Sequence, residues 1–267
     1  MPEGHTLHRM ALDHSKWLGG DTLRVSSPQG RFSEGAEFLD GAEFVRASAV
    51  GKHLLWHFRG LERPRVVHIH LGLFGRFRRY VRKVPEPRGA IRVRLQGNRC
   101  TLDLSGPTVC ELLTHPQVGA LRQRLGPDPL DPKADPERAW AKIKRSRRSV
   151  GALLLDQSVL AGVGNVYRAE LLFLHRIPPD LSGRELPKPT FDALWLDTVR
   201  LLQVGVFTNK IITRGVDEEG GHKSGRRERL WVYKERRCHL CAAEIRKMQT
   251  ASRTLYFCPV CQGHGPG

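Results

Sequence analysis

The sequence predicts a multidomain α+β protein: an amino-terminal helix with an antiparallel β-sandwich, then a helical domain ending in a cysteine-bracketed hairpin. Three observations carry this. Up to about residue 120 the apolar residues fall in short β-branched and aromatic runs. Beyond a proline-rich stretch at 125–137 the apolar period becomes helical, and two Cys-x2-Cys pairs stand near the end.

Taken in order, Leu7, Met10, Ala11, Trp17 and Leu18 keep close to the i, i+3, i+4, i+7 rhythm, which predicts a helix over 2–18 that Gly19-Gly20 stops. Strands are predicted at 22–26, 44–58, 65–81, 91–95 and 100–104. In 91–95 strict alternation sets Ile91, Val93 and Leu95 on one face, with Arg92 and Arg94 outward, as in a half-exposed antiparallel strand. Pro127, Pro129, Pro132 and Pro136 exclude helix or strand interiors and predict an interdomain linker. Helices follow at 139–155, 166–174 and 191–206, broken by Gly162-Val163-Gly164 and by Pro178-Pro179. The expected domains are 1–124, the linker 125–137, a helical domain 138–225 and a hairpin domain 226–267.

Charge narrows the partners. The 267 residues carry 44 Lys+Arg against 27 Asp+Glu, a net +17, which favours a polyanion. Basic runs lie at 76–83, 142–148 and 226–237. The sequence has no long apolar run and no basic-then-apolar leader, so no membrane partner is expected and a soluble, cytoplasmic protein is. Of six cysteines, Cys100 and Cys110 are isolated and read as small core residues, a pattern unlike a disulfide framework.

Three places hold chemistry. Cys238-x2-Cys241 and Cys258-x2-Cys261, separated by residues 242–257, have the spacing of a structural Zn2+ site. Four thiolates fill a tetrahedral ion and leave no position for water. At the other end, removal of Met1 would make Pro2 a secondary amine with a pKa of roughly 8, and Glu3 beside it a proton shuttle. Proline and glutamate equally suit an ordinary helix start. Gly162-Val163-Gly164-Asn165 is either a simple turn between helices or an anion grip at a helix start. It is neither a P-loop nor a dinucleotide fingerprint, so no nucleotide cofactor is expected.

The order of five motifs resembles the formamidopyrimidine-DNA glycosylase and endonuclease VIII family over nearly the whole chain. They are Pro2-Glu3-Gly4, Gly51-Lys52-His53-Leu54-Leu55, His70-Leu71-Gly72-Leu73-Phe74-Gly75, Ala161-Gly162-Val163-Gly164-Asn165-Val166-Tyr167-Arg168-Ala169-Glu170 and the paired cysteines. The Pro-Glu-Gly-His-Thr opening is similar to actinobacterial-style endonuclease VIII.

The resemblance implies a helix-two-turns-helix domain, a four-cysteine zinc ribbon and a bifunctional glycosylase and abasic-site lyase acting on damaged DNA, as a monomer in the bacterial cytoplasm and nucleoid. It implies that Pro2 attacks C1′, that Glu3 transfers protons, and that Lys52 and Arg253 complete the catalytic set. Asn165 and His70 are implied to contact DNA, and Leu73 and Phe74 to fill the stack a flipped base vacates. Thr6 departs from the pattern, since many members carry a second glutamate there. By analogy through Gly4, oxidised pyrimidines are favoured; oxidised or ring-opened purines are the alternative substrates. A noncatalytic zinc-ribbon DNA binder is the alternative function.

Overall fold

The apolar period of the first segment produces helix α1, Gly4–Leu18, which buries Leu7, Ala11 and Leu18. Gly20, at φ +82°, turns the chain out of it. The computed structural model describes residues 2–216 and 229–263, and the chain divides into two units, Met1–Arg124 and Leu125–Gly267.

In the first unit α1 is followed by β1 (Arg24–Ser26), α2 (Ser33–Leu39), β2 (Glu43–Val50), β3 (His53–Arg59) and β4 (Val66–His70). Then come β5 (Arg76–Tyr80), β6 (Ile91–Gln96), β7 (Thr101–Ser105), β8 (Val109–Leu113) and α3 (His115–Arg124). The strands form two four-stranded sheets, ordered β1-β6-β7-β5 and β2-β3-β4-β8, and all pairs are antiparallel. One core cluster takes Leu7 and Leu18 from α1, Leu54, Trp56 and Ile69 from one sheet and Val93, Leu95 and Leu104 from the other. Each fully buried leucine contributes about 1.5–3 kcal/mol.

The sequence expectation needs four corrections here. The run 44–58 is two strands, parted at Gly51-Lys52 where Gly51 takes φ +54°. The run 65–81 is also two, and its halves lie in different sheets. Helices α2 and α3 and strand β8 lacked a clear period. Arg94 is buried: Asp103, opposite it on β7, takes two hydrogen bonds from its guanidinium at 2.7 and 2.8 Å, and the Pro85 carbonyl a third at 3.0 Å. A paired arginine can replace water in a strand's outer face, which alternation alone does not reveal.

In the second unit, residues 125–136 hold no helix or strand, but they are packed rather than a free linker. Leu125, Pro127 and Pro129 are buried, Gly126 N–H donates to the Gln157 carbonyl, and Ala161 N–H donates to the Pro127 carbonyl. Helices α4 (Glu137–Ile143), α5 (Val150–Leu155), α6 (Asn165–Leu174) and α7 (Lys188–Thr208) precede a hairpin of β9 (Arg246–Thr250) and β10 (Arg253–Phe257). The expected helix 139–155 breaks at the basic stretch 144–149, and Ser149 caps the restart by accepting from Ala152 N–H at 3.2 Å. Tyr167, Leu171, Phe191 and Leu201 share their core with Leu255 of the hairpin and with Cys238 and Cys258. Among the described residues no helix is long and apolar enough to cross a membrane.

Candidate active site and nucleic-acid contacts

Glu3 is the residue on which α1 begins. Its backbone is extended, at φ −119° and ψ 178°, and its side chain is fully buried, while Pro2 before it is half-buried. The Glu3 main-chain N–H donates to Thr6 Oγ1 at 3.4 Å, and the Thr6 N–H returns to the Glu3 carbonyl at 2.9 Å. Thr6 therefore takes the main-chain proton that a glutamate at this place in a capping box would take. Thr6 Oγ1 also lies 3.2 Å from His5 Nε2. Burial, then the amino terminus and His8, hold His5 down at about 4, so it adds no charge next to Glu3 near neutral pH.

Lys52 occupies the two-residue turn between β2 and β3 and is half-buried; it is not inside a strand. Because His53 pairs with His70 across β3 and β4, the lysine and the predicted His70 lie at one end of the same sheet. Burial, then His68 and Lys52, lower the His70 pKa.

The chain next passes from β4 to β5 through 71–75. A side chain at Gly72, φ +64°, would meet Thr108 Oγ1 at 1.9 Å, and one at Gly75 would meet the Leu71 carbonyl oxygen at 2.3 Å. Two glycines thus fix a tight turn whose middle residues face out: Leu73 is 59% exposed and Phe74 83%. The turn connects β4 and β5, which lie in different sheets.

Asn165, Arg253 and the four cysteines belong to the second unit. Asn165 starts α6 and is buried; its Nδ2 donates to the Thr254 carbonyl at 2.9 Å. Arg168, one turn on, donates to Asn165 Oδ1 at 2.5 Å and to the Thr250 carbonyl at 3.1 Å. Arg253 opens β10 and is exposed, after Ala251 and Ser252 turn the hairpin at φ +52° and +59°. On the next turn of α6, Glu170 is fully buried. Its carboxylate accepts from the Thr213 hydroxyl and from the amides of Trp231, Val232 and Tyr233 at 2.7, 3.0 and 2.8 Å. Burial raises its pKa, against the pull of those four donors.

The sulfur atoms of Cys238, Cys241, Cys258 and Cys261 all lie within 4.8 Å of one another, with Cys238 and Cys261 at 3.8 Å and Cys241 and Cys258 at 3.5 Å. A metal at about 2.3 Å from each of four tetrahedral sulfurs sets them close to that separation, so the residues fit the ion. Met1, whose removal would free the Pro2 amine, and residues 217–228 lie outside the described residues.

Residues 1–107 match the family model described as the formamidopyrimidine-DNA glycosylase N-terminal domain, and residues 125–217 the formamidopyrimidine-DNA glycosylase H2TH domain. Endonuclease 8 1 of Mycobacterium tuberculosis is 47% identical over 270 residues, covering 98% of this chain and all of the relative. Endonuclease 8 of Salmonella typhimurium is 32% identical over 274 residues with the same coverage. The chain belongs to the formamidopyrimidine-DNA glycosylase and endonuclease VIII family. Members are DNA glycosylases and abasic-site lyases. A solved complex between Lactococcus lactis Fpg and DNA containing an abasic site shares the fold, with a TM-score of 0.82 and 23% identity over 97% of this chain and 99% of that one.

Within this family frame, three features escaped the sequence reading: the Thr6 contact, the Arg168 bracket, and a histidine network of His53, His68 and Glu111. The alternation of His68 and His70 along β4 was the signal available for the last.

Proposed function

We propose that the protein is a bifunctional DNA glycosylase and abasic-site lyase that removes oxidised bases, pyrimidines foremost, from damaged DNA. The observation that carries this reading is the Pro2-Glu3 start, with Glu3 wholly buried at the cap of a packed helix. With Met1 removed, the Pro2 nitrogen attacks C1′ of the flipped nucleotide, the C1′–base bond breaks, and the sugar remains as an iminium. Glu3 moves protons during base loss and ring opening. Loss of a C2′ proton then expels the 3′ phosphate, and a second elimination expels the 5′ phosphate.

Lys52 and His70 bind the DNA backbone at one end of the sheet, Leu73 and Phe74 fill the vacated stack, and Asn165 and Arg253 grip phosphates from the second unit. Cys238, Cys241, Cys258 and Cys261 hold a structural Zn2+, which supplies folding energy to the hairpin and no Lewis-acid chemistry. The ranking of pyrimidine above purine lesions rests on the analogy through Gly4 in the Pro2-Glu3-Gly4 start.

Borohydride reduction with abasic-site DNA tests the nucleophile. A covalent adduct is expected with the processed protein; an adduct of equal yield from Pro2→Gly removes Pro2 from the role. Glu3→Gln is expected to keep DNA binding and lose about 10²–10⁴-fold in base excision, the range of general acid–base catalysis. A panel of duplexes, each with one defined lesion, decides the substrate class, and a purine optimum would reverse the ranking.

A further inference from the structure

One face of β3, β4 and β8 carries a line of hydrogen-bonded titratable groups that the amine chemistry leaves unused. His53 pairs with His70, Leu55 with His68, and His68 with Glu111, so the period of two sets all four polar residues on one face. Leu54, Trp56, Val67 and Ile69, on the opposite face, fill the core. Glu111 Oε1 lies 2.9 Å from His68 Nδ1, and His68 Nε2 lies 2.8 Å from His53 Nδ1. The His53 and His70 rings are 5.0 Å apart.

Donor and acceptor roles follow from the end of the line. A carboxylate only accepts, so His68 Nδ1 carries a proton toward Glu111. With His68 uncharged, its Nε2 accepts from His53 Nδ1–H, and His53 Nε2 holds a lone pair. His70 is set the other way: its Nδ1 accepts from the Gly72 amide at 3.2 Å, which makes Nε2–H a donor. His53 is faced by His68 and His70 from β4, by Arg124 from α3 and by its neighbour Lys52; burial first, then these groups, push it down to about 3. His53 therefore does not hold a charge of its own near neutral pH.

We propose that Glu111, His68 and His53 form a proton relay that turns His53 Nε2 into a hydrogen-bond donor when a DNA phosphate binds beside Lys52 and His70. This rests on the DNA-binding role proposed above for Lys52 and His70. One proton balances the step. Solvent protonates His53 Nε2, the His53 Nδ1 proton passes to His68 Nε2, and His68 becomes an imidazolium facing the Glu111 carboxylate. His53 is neutral before and after, so no new cation forms beside the Lys52 ammonium. The added proton sits on the ring whose Nδ1 faces the Glu111 carboxylate at 2.9 Å.

Equilibrium binding of a duplex carrying a tetrahydrofuran abasic-site analogue, at fixed ionic strength between about pH 6 and 8, tests the relay where histidines titrate. Uptake of one proton tightens wild-type binding by up to about tenfold per pH unit as pH falls. Glu111→Gln and His68→Gln are expected to flatten that slope, and calorimetry in two buffers of different ionisation enthalpy to count about one proton fewer on binding. A Glu111→Gln slope equal to wild type overturns the relay. Lys52→Ala is measured in parallel and should weaken binding at every pH. If it does not, the DNA-binding role of this sheet end fails and takes the relay with it; if it does while the Glu111→Gln slope is unchanged, only the relay fails.

Discussion

The Asn165 side-chain amide donates to the main-chain carbonyl of Thr254, so the start of α6 holds the hairpin strand at the residue next to Arg253. Arg168 closes the bracket by bonding both Asn165 and the Thr250 carbonyl on the facing strand. Asn165 thus aims Arg253 in addition to any phosphate contact of its own.

Asn165→Asp turns the donor toward Thr254 into an acceptor facing an acceptor. Leaving that carbonyl unmatched is expected to cost about 1–3 kcal/mol of stability. Arg253→Ala, at an exposed site, should change stability by no more than about 0.5 kcal/mol. Its effect belongs in the salt dependence of DNA binding, whose slope should shrink by about 1. Denaturant melts and binding titrations over a salt series separate the two residues. An unchanged salt slope in Arg253→Ala would count against a phosphate contact.

Thr6→Ala removes the acceptor for the Glu3 main-chain N–H and is expected to cost about 0.5–1.5 kcal/mol. Thr6→Glu should recover most of it, because a glutamate three residues into the box reaches the same N–H. Melting curves test the stability, and excision rates show whether holding that N–H also holds the carboxylate. Thr6→Ala and Thr6→Glu with equal melting points would discard the capping role.

Phe74→Ala removes a ring that is 83% exposed, so the fold should be indifferent to it. Binding to an abasic duplex should weaken by about 1–3 kcal/mol, the usual loss when an aromatic stacked on a base is truncated. Equal affinity of Phe74→Ala and wild type for that duplex would show that the ring does not enter the stack.

Acid should destabilise the first unit. His14 is buried and accepts from Trp56 Nε1 at 3.0 Å, and burial drops its pKa from 6.5 to about 3. Above pH 6.5 both folded and unfolded chains leave it neutral; below, the unfolded chain takes a proton that the folded one refuses until about pH 3. Its contribution is therefore complete above the unfolded value and declines by about 1.4 kcal/mol per unit as pH falls. His14→Gln should unfold more easily at pH 7.5 and show a shallower acid slope in urea melts. A slope unchanged from wild type would assign the acid sensitivity to other histidines.

Periodicity located α1, α6 and α7 because long amphipathic repeats bury one face whatever surrounds them. It ran strands together at Gly51-Lys52 and at 71–75, since a two-residue turn or a tight crossover interrupts the apolar pattern too briefly to register. Arg94 was misread as exposed because its partner Asp103 lies on the next strand, out of reach of any local window. The cysteine pairs were legible because a metal-binding set is written in residue type and spacing. His53, His68 and Glu111 were not, because only sheet register unites them.

Glu170 gathers the Thr213 hydroxyl and the amides of 231–233, and the amides of Thr213 and Arg214 both donate to the Arg229 carbonyl. The described residues on either side of 217–228 are therefore joined to α6 and to each other by these hydrogen bonds. Loss of the Glu170 carboxylate would release Thr213 and the amides of 231–233 from α6 together, so one buried side chain sets how two distant stretches of the chain are held.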